Sequence, residues 1–321
     1  MEEVDKMSHR LRTCGAAAVL LLLLTLLSSC GQPTVPDETA TDYNQYIPSH
    51  GVTAYTKDLY IFFDSGRLFY VGRSQPSQLF PLCFQADCDH KNSSCTAWLN
   101  TPSRSIYAAG DNLYYIDADK DAKPALYRMD LSGGGRELVK SLNILNEESW
   151  PGISSLGYSF RVYGSYLAIE LNLLQEDSWQ HKIYLTGIDS KDEGVFLFGE
   201  EGDSDKSYIA IEFRENWLFV TEKNAADGTN TLWGYNFTTQ EAVPLVEGWD
   251  ISNCFTVQDG ILYWAVTGDG VYSMDMEKKS VTKHRSFDPV LEYGAAAYDD
   301  QYLYLTNAIR YMDSQGTVPA E

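Results

Sequence analysis

Three cysteines and one histidine lie close enough in the sequence to bind a single metal ion. Cys83, Cys88, His90 and Cys95 fall within 13 residues. Thiolates and an imidazole form the Cys₃His ligand set of tetrahedral zinc sites, and a loop of this length can wrap around one ion. Because four protein ligands leave no open position for water, we expect a zinc ion bound here to be structural.

Two other fates of these thiols stay open at the level of the sequence. Outside the cytoplasm paired cysteines usually form disulfides, so two of the three could be bridged while the third stays free. All three could instead remain reduced, as structural or reactive thiols. An odd number of cysteines beside a histidine favours the metal. A further cysteine, Cys254, stands alone beside Phe255 and is expected to be a small buried hydrophobe.

Three aspartates at alternate positions form a second candidate metal site. Asp117, Asp119 and Asp121 could direct their carboxylate oxygens at a calcium ion. The complete calcium-loop pattern fails, because Ala122 stands where glycine is needed and Arg128 where a bidentate glutamate is needed. We therefore expect a solvated acidic turn here rather than a calcium site.

The sequence carries no recognisable catalytic motif. It contains no glycine-rich phosphate loop, no His-Glu-x-x-His and no Gly-x-Ser-x-Gly. No catalytic residue is predicted, since the other histidines of the mature chain have no nucleophile motif beside them: His50, His181 and His284. The formal net charge of -21 opposes binding to nucleic-acid phosphates.

The elements that must position these residues are β-hairpins. In the unit from Asp111 to Leu131, an apolar and aromatic first arm is followed by charged turn residues and an alternating second arm. Its leucine anchor, usually followed by an aromatic or aliphatic residue, recurs at intervals of 41 to 54 residues, at Leu68, Leu113, Leu167, Leu218, Leu262 and Leu303. The repeat predicts six copies of one supersecondary unit.

A repeat of this length with several short strands predicts an all-β fold, a β-propeller of six blades with four antiparallel strands each, over residues 51–321. Blades must stack, because one sheet cannot bury both of its faces alone. The insert 83–95 is assigned to blade 1. The last blade lacks a convincing fourth strand, so either a segment such as Gly51–Thr56 supplies it or the blade is incomplete.

Two of the hairpin units resemble the blades of known propellers. Residues 112–131 and 262–276 are similar to blades of the six-bladed low-density-lipoprotein-receptor and TolB-like type. That resemblance implies the architecture and no catalytic residue, since this superfamily does not share one activity. The segment with Cys83, Cys88, His90 and Cys95 resembles a Cys-rich insert of propeller lipoproteins from Gram-positive anaerobes.

The N-terminus predicts export and a lipid anchor. Basic residues precede an apolar run of 12 residues, Ala16–Leu27, which suits a signal peptide and is too short to span a bilayer. Leu27-Ser28-Ser29-Cys30 resembles the lipobox of bacterial lipoproteins; a plain secretory peptide is the alternative. The resemblance implies that residues 1–29, with Cys14, are removed and that diacylglycerol is attached to Cys30. Residues 30–50 are then a flexible tether.

These features together predict an extracytoplasmic, lipid-anchored monomer. Its propeller is expected to act as a non-catalytic module that binds a protein, peptide or glycan at the rim of its channel. Three tryptophans in predicted loops are the candidates for glycan contact: Trp150, Trp179 and Trp249. Two other functions stay open: an extracytoplasmic enzyme, such as a glycan or lactone lyase or hydrolase, and a metal-handling or redox-sensing role for residues 83–95.

Overall fold

The computed structural model describes residues 53–99, 105–176, 178–191, 193–199, 205–248, 251–266, 269–286, 293–298 and 303–307. The predicted signal peptide, Cys30 and the tether lie outside these residues, as do His50 and Trp249. No helix in the described ranges is long and apolar enough to cross a membrane.

The described residues form six consecutive antiparallel sheets, and each of the first five contains four strands that are hydrogen-bonded in chain order. The first sheet contains β1 Thr53–Tyr55, β2 Leu59–Asp64, β3 Arg67–Gly72 and β4 Gln75–Pro81. The second contains β5 Ile106–Ala109, β6 Asn112–Ala118, β7 Pro124–Asp130 and β8 Glu137–Ser141. The third contains β9 Ile153–Tyr163, β10 Tyr166–Gln175, β11 Ser178–Gly187 and β12 Val195–Phe198.

The fourth sheet contains β13 Lys206–Arg214, β14 Trp217–Asn224, β15 Asn230–Asn236 and β16 Glu241–Glu247. The fifth contains β17 Ile251–Gln258, β18 Ile261–Val266, β19 Gly270–Asp275 and β20 Ser280–Ser286. Two strands of the sixth are described, β21 Tyr293–Tyr298 and β22 Leu303–Asn307. Two short 3-10 helices, Asn143–Leu145 and Glu147–Ser149, lie between β8 and β9.

The way the sheets stack is that of a β-propeller, so the predicted fold class is confirmed. The first strand of each sheet contacts the first strand of the next, from β1 to β5 and onward to β21. The fourth strand of each complete sheet lies at its other edge. Each four-stranded sheet is therefore one blade, with its first strand inside and its fourth strand outside.

Apolar side chains fill the spaces between neighbouring blades. Tyr107 of the second sheet packs with Phe160 and Leu171 of the third, and all three are buried. Phe219 of the fourth sheet and Trp264 of the fifth are buried in another such layer. Each of these side chains contributes roughly 1.5–3 kcal/mol through burial, so the stacking of blades stabilises each hairpin.

The predicted alignment of the first blade is wrong by one strand. Leu68 lies in β3, the third strand of its sheet, whereas the other leucine anchors lie in second strands. The predicted second arm at 79–82 falls on β4 and the residue after it. Leu59 and Tyr60 of β2 occupy the anchor position. The turn Asp64-Ser65-Gly66 caused the error, because it has the same composition as the turns that precede the other anchors.

The segment Gly51–Thr56, considered above as a possible fourth strand of the last blade, contributes a strand to the first blade. Thr53–Tyr55 is β1, which pairs with β2 in the first sheet, with Ala54 opposite Ile61. This segment therefore belongs to the first blade and does not supply the fourth strand of the last one. The predicted second arm of the last blade, Ile309–Met312, lies outside the described residues.

Candidate metal centre

The four predicted ligands lie in the connection between β4 and β5, which joins the first blade to the second. We call residues 82–99 the cysteine loop. Its end runs beside the start of β3: the Leu68 N–H donates to the Ala97 carbonyl at 2.8 Å, and the Leu99 N–H donates to the Gly66 carbonyl at 3.0 Å. Leu82 at the other end is buried in the core between the first two blades. Both ends of the loop are thus fixed to the propeller.

The structure brings the four ligands together. The three Sγ atoms and the ligand nitrogen of His90 all lie within 4.8 Å of one another, and His90 Nδ1 is 3.4 Å from Cys95 Sγ. In a tetrahedral zinc site, with Zn–S near 2.3 Å and Zn–N near 2.0 Å, neighbouring ligand atoms are about 3.5–3.8 Å apart. The donor set therefore fits zinc after a small contraction. All three cysteines are free thiols rather than disulfides.

Short main-chain turns and a strained residue direct these side chains inward. The Cys88 N–H donates to the Gln85 carbonyl at 3.4 Å, and the Cys95 N–H donates to the Asn92 carbonyl at 3.0 Å. His90 has φ of 55°, a left-handed conformation that costs a residue with a Cβ roughly 1–3 kcal/mol. The Arg67 guanidinium donates to the His90 carbonyl at 3.2 Å and stabilises this conformation from β3.

A glycine turn of the second blade packs directly against the loop. Gly133 lies between β7 and β8 with φ of +83°, and a Cβ added to it would lie 2.6 Å from the main-chain carbon and oxygen of Leu82. The same Cβ would lie 2.8 Å from the Cys83 nitrogen. A side chain at this position would therefore displace the first metal ligand, which explains why glycine is needed there.

The thiols of the cluster have unequal proton affinities. Burial raises the pKa of Cys83, but hydrogen-bonding interactions with Thr96, Gln85 and Cys95 outweigh burial and lower that pKa to about 6. Burial raises the pKa of Cys95 to about 12; the neighbouring thiols act in the same direction, and the main chain of Ala97 opposes them. Three thiols this close cannot all ionise without a cation, so metal binding would release protons.

The aspartates that were considered for calcium accept hydrogen bonds from different protein groups. Asp117 is fully buried, and its Oδ2 accepts from Arg136 Nη2 at 2.5 Å. Asp119 Oδ1 instead accepts the main-chain N–H groups of Asp121 and Lys123, each at 2.9 Å. The carboxylate of Asp119 therefore stabilises the main chain of the turn itself. The expected solvation holds for the exposed Asp121 and is wrong for Asp117.

His181 lies in a polar cluster that sequence analysis did not detect. It is paired with Asn172 across β10 and β11, and Asn172 Nδ2 donates to Glu170 Oε1 at 3.4 Å. Burial lowers the pKa of His181. Burial also raises the pKa of Glu170, while Asn172, Arg161 and Ser159 oppose that shift. The pairing register of two long strands creates the cluster, so no local motif could have revealed it.

A cleft of about 620 Å³ lies between the outer strands of the second and third blades. One wall contains β8 and the residues that follow it, and the other contains Tyr184 and Phe196. Trp150 lies close by, with its ring edge-on to Phe196 at 5.9 Å. Trp179 on β11 is exposed. The wholly apolar Val-Phe-Leu-Phe of β12 is the local sequence signal that could have pointed to this site.

Comparisons with known proteins give only weak structural likenesses and assign no activity. No protein-family model matches the chain, and no curated protein matches it in sequence. Solved structures that resemble it include an oligogalacturonate lyase in complex with manganese, at 13% identity and a TM-score of 0.43 over 70% of this chain and 61% of the lyase. The chain thus spans about three fifths of the length of that enzyme.

Two further solved structures show a similar degree of likeness. A putative TolB from Agrobacterium tumefaciens is 13% identical, with a TM-score of 0.40 over 74% of this chain and 81% of that one. A puromycin-hydrolyzing peptidase from Mycobacterium tuberculosis is 12% identical, with a TM-score of 0.44 over 78% and 43%. These likenesses are weak, so the propeller assignment rests on the sheets of this chain itself.

Proposed function

We propose that this protein is an extracytoplasmic binding module, held at the membrane by a lipid on Cys30 and stabilised by zinc in its cysteine loop. The propeller is the scaffold, and the zinc ion holds the connection between its first two blades. Cys83, Cys88, His90 and Cys95 would be the four ligands, and with all positions occupied the ion would supply structural stability and no Lewis-acid site.

The observation that carries the binding role is the exposure of large apolar side chains on outer strands. They are Leu79 and Phe80 on β4, Leu138 on β8, Val195 and Phe196 on β12, and Val281 on β20. Exposed apolar groups that recur at the blade periphery favour contact with another molecule. The binding surface is therefore proposed at the outside of the blades, and not at the channel rim where the sequence alone would place it.

Photo-crosslinking in the cells of origin tests this role. The full-length chain would carry a photoreactive benzoylphenylalanine at Phe80 or at Phe196, with Asp121 in the β6–β7 turn as an exposed control position. We expect adducts of discrete mass from the outer-strand positions and none from the control. Adducts at Asp121 of equal yield, or none at either outer strand, would contradict a binding surface there.

The anchor is tested separately by lipid labelling and cell fractionation. The variant Cys30→Ser should lose incorporation of labelled fatty acid and should not be processed to the mature form. The matched variant Cys14→Ser, which changes a cysteine inside the predicted signal peptide, should behave as wild type. Lipid label that persists in the Cys30→Ser chain would show that the anchor lies elsewhere.

A further inference from the structure

The cleft between the second and third blades combines an apolar floor with unprotected strand edges. Leu142, Ile144, Tyr184 and Phe196 supply apolar surface inside it. Phe196 remains 42% exposed, and Val195 beside it is 56% exposed. Burying one such side chain under a partner removes enough apolar area to contribute roughly 1–3 kcal/mol. The cleft is therefore an unfilled apolar site at the blade periphery.

The edge strand β12 lacks the protection that other outer strands carry. β4 contains Pro76 and Pro81, and β16 contains Pro244 between glutamates, whereas β20 carries Lys283 and His284. Prolines and charges on edge strands prevent pairing with foreign chains. β12 has neither, and its sequence is Val-Phe-Leu-Phe. A strand edge of this kind favours an extended peptide as the occupant.

The charge around the cleft selects the sign of the partner. Glu193 lies in the lining, and three further exposed acidic residues stand within two positions of lining residues in the sequence: Glu147 and Glu148 before Ser149, and Asp189 before Ser190. The single exposed lysine of the lining is Lys191. The ammonium of Lys140 is directed at the main-chain oxygens of Gly187 and Ser190, at 3.1 and 2.7 Å.

This local excess of acid has the same sign as the whole chain, whose formal net charge is -21. The far field and the exposed acidic groups near the cleft attract a cation, although the ammonium groups of Lys140 and of Lys182, the latter 5.9 Å from the Phe196 ring, also lie at the site. Charge complementarity and the apolar floor together define one kind of partner, in which basic residues flank an apolar side chain.

We propose that this cleft binds an extended cationic peptide segment that inserts an apolar side chain against Tyr184 and Phe196. The inference rests on the binding role proposed above and gives that role a position and a partner chemistry. The basic flanks pair with the acidic rim, and the main chain of the segment lies beside the outer strands β8 and β12.

The test uses the full lipidated chain in phosphatidylcholine nanodiscs and fluorescence anisotropy, with empty nanodiscs subtracted. The probes are three labelled pentapeptides that alternate lysine with leucine, glutamate with leucine, and lysine with glycine. We expect the lysine–leucine peptide to bind at least tenfold more tightly than either of the others. Raising the salt concentration from 25 to 500 mM should weaken its binding, since salt screens the exposed acidic rim.

Variants locate the binding. Phe196→Ser and Glu193→Lys should each weaken binding of the lysine–leucine peptide at least fivefold. Phe84→Ser removes another exposed aromatic side chain, which lies in the cysteine loop and outside the proposed binding surface, and it should leave the affinity unchanged. The fold control is the thermal unfolding midpoint of each variant, which should be unchanged if the blades remain folded.

Equal affinity for the lysine and glutamate peptides would overturn the proposal, as would equal affinity for the glycine peptide. So would unchanged binding in Phe196→Ser, or an equal loss in Phe84→Ser. The crosslinking at Phe80 and the lipid labelling of Cys30 do not depend on any of these results. A failure of the peptide-binding proposal is therefore distinguishable from a failure of the proposed function.

Discussion

The first two connections between blades hold the same topological position and are built in different ways. The cysteine loop leads from β4 toward β5 and gathers three thiols and an imidazole. The connection of residues 142–152 leads from β8 to β9 and forms two 3-10 helices. In it the Trp150 indole donates to the Ile144 carbonyl at 2.8 Å, and Leu142 and Leu145 are buried in the core.

The difference shows how a connection can be fixed when its own sequence offers few apolar residues. Between Cys83 and Cys95 only Phe84 is large and apolar, and it is exposed. The segment between these two cysteines buries little apolar surface of its own, so under the zinc proposal the convergent ligands would hold it in place. The second connection buries leucines and makes its own hydrogen bonds, and its polar residues Asn143 and Ser149 line the cleft.

Among the changes that distinguish the two connections, loss of a metal ligand in the cysteine loop is expected to have the largest effect on stability. Cys88→Ser should abolish zinc binding and lower the free energy of unfolding by about 5 kcal/mol, because three ligands and a collapsed loop remain. The measurements are zinc content of anaerobically purified protein and denaturant unfolding. Ser93→Ala, at an exposed position of the same loop, is the control. Wild-type protein without zinc but with full stability would remove the metal interpretation.

Arg136 links the cysteine loop to the second blade, and its loss should have the next largest effect. It donates to the Trp98 carbonyl at 2.9 Å and pairs with the buried Asp117. Arg136→Met should cost about 3–4 kcal/mol, since Asp117 would keep a buried charge without this partner. Lys278→Met, which removes the exposed pair with Asp275, should change the unfolding midpoint very little. Equal effects of the two variants would contradict this account.

Gly133→Ala tests the contact between the glycine turn and the loop. The alanine must adopt a positive φ and also meets the main chain of Leu82 and Cys83, so we expect a loss of about 2–3 kcal/mol and weaker zinc binding. Gly228→Ala is the matched control, because Gly228 has φ of +73° but nothing within 4 Å of an added Cβ. It should cost about 1 kcal/mol and leave the zinc affinity unchanged. A zinc affinity that Gly133→Ala does not alter would uncouple the turn from the site.

The smallest expected effect lies in the second connection. Trp150→Phe removes the hydrogen bond to the Ile144 carbonyl and should lower stability by about 1 kcal/mol, to the same extent with and without zinc. Trp179→Phe, on an exposed ring, serves as the control and should be neutral. A Trp150→Phe effect that grew after chelation would mean that the two connections are not independent.

The sequence predicted what local patterns determine. Apolar anchors at a regular interval were enough to predict the propeller fold, because each hairpin is built from residues that are neighbours in the sequence. The convergence of Cys83, Cys88, His90 and Cys95 was predicted from their spacing for the same reason. The register of the first blade was mistaken because one turn has the composition of another. The burial of Asp117 was missed because its partner, Arg136, lies 19 residues further along the chain, beyond β7 and just before β8.

The cleft could not be predicted because no single segment encodes it. Its walls come from β8 and from the residues around Phe196, which meet only when the second and third blades stack. The cluster of Glu170, Asn172 and His181 likewise depends on the register between β10 and β11. Sites assembled across blades follow from tertiary packing, which leaves little trace in hydrophobic periodicity.

The short spacing of the metal ligands also bears on the order in which the chain folds. Closing a loop of 13 residues carries a small entropic cost. The four candidate ligands and β1–β4 together lie within the 47 residues from Thr53 to Leu99, so the site can form before most blades have emerged during synthesis. A zinc ion bound there would stabilise the cysteine loop early in folding. The glycine turn of the second blade at Gly133 would then pack against the folded loop.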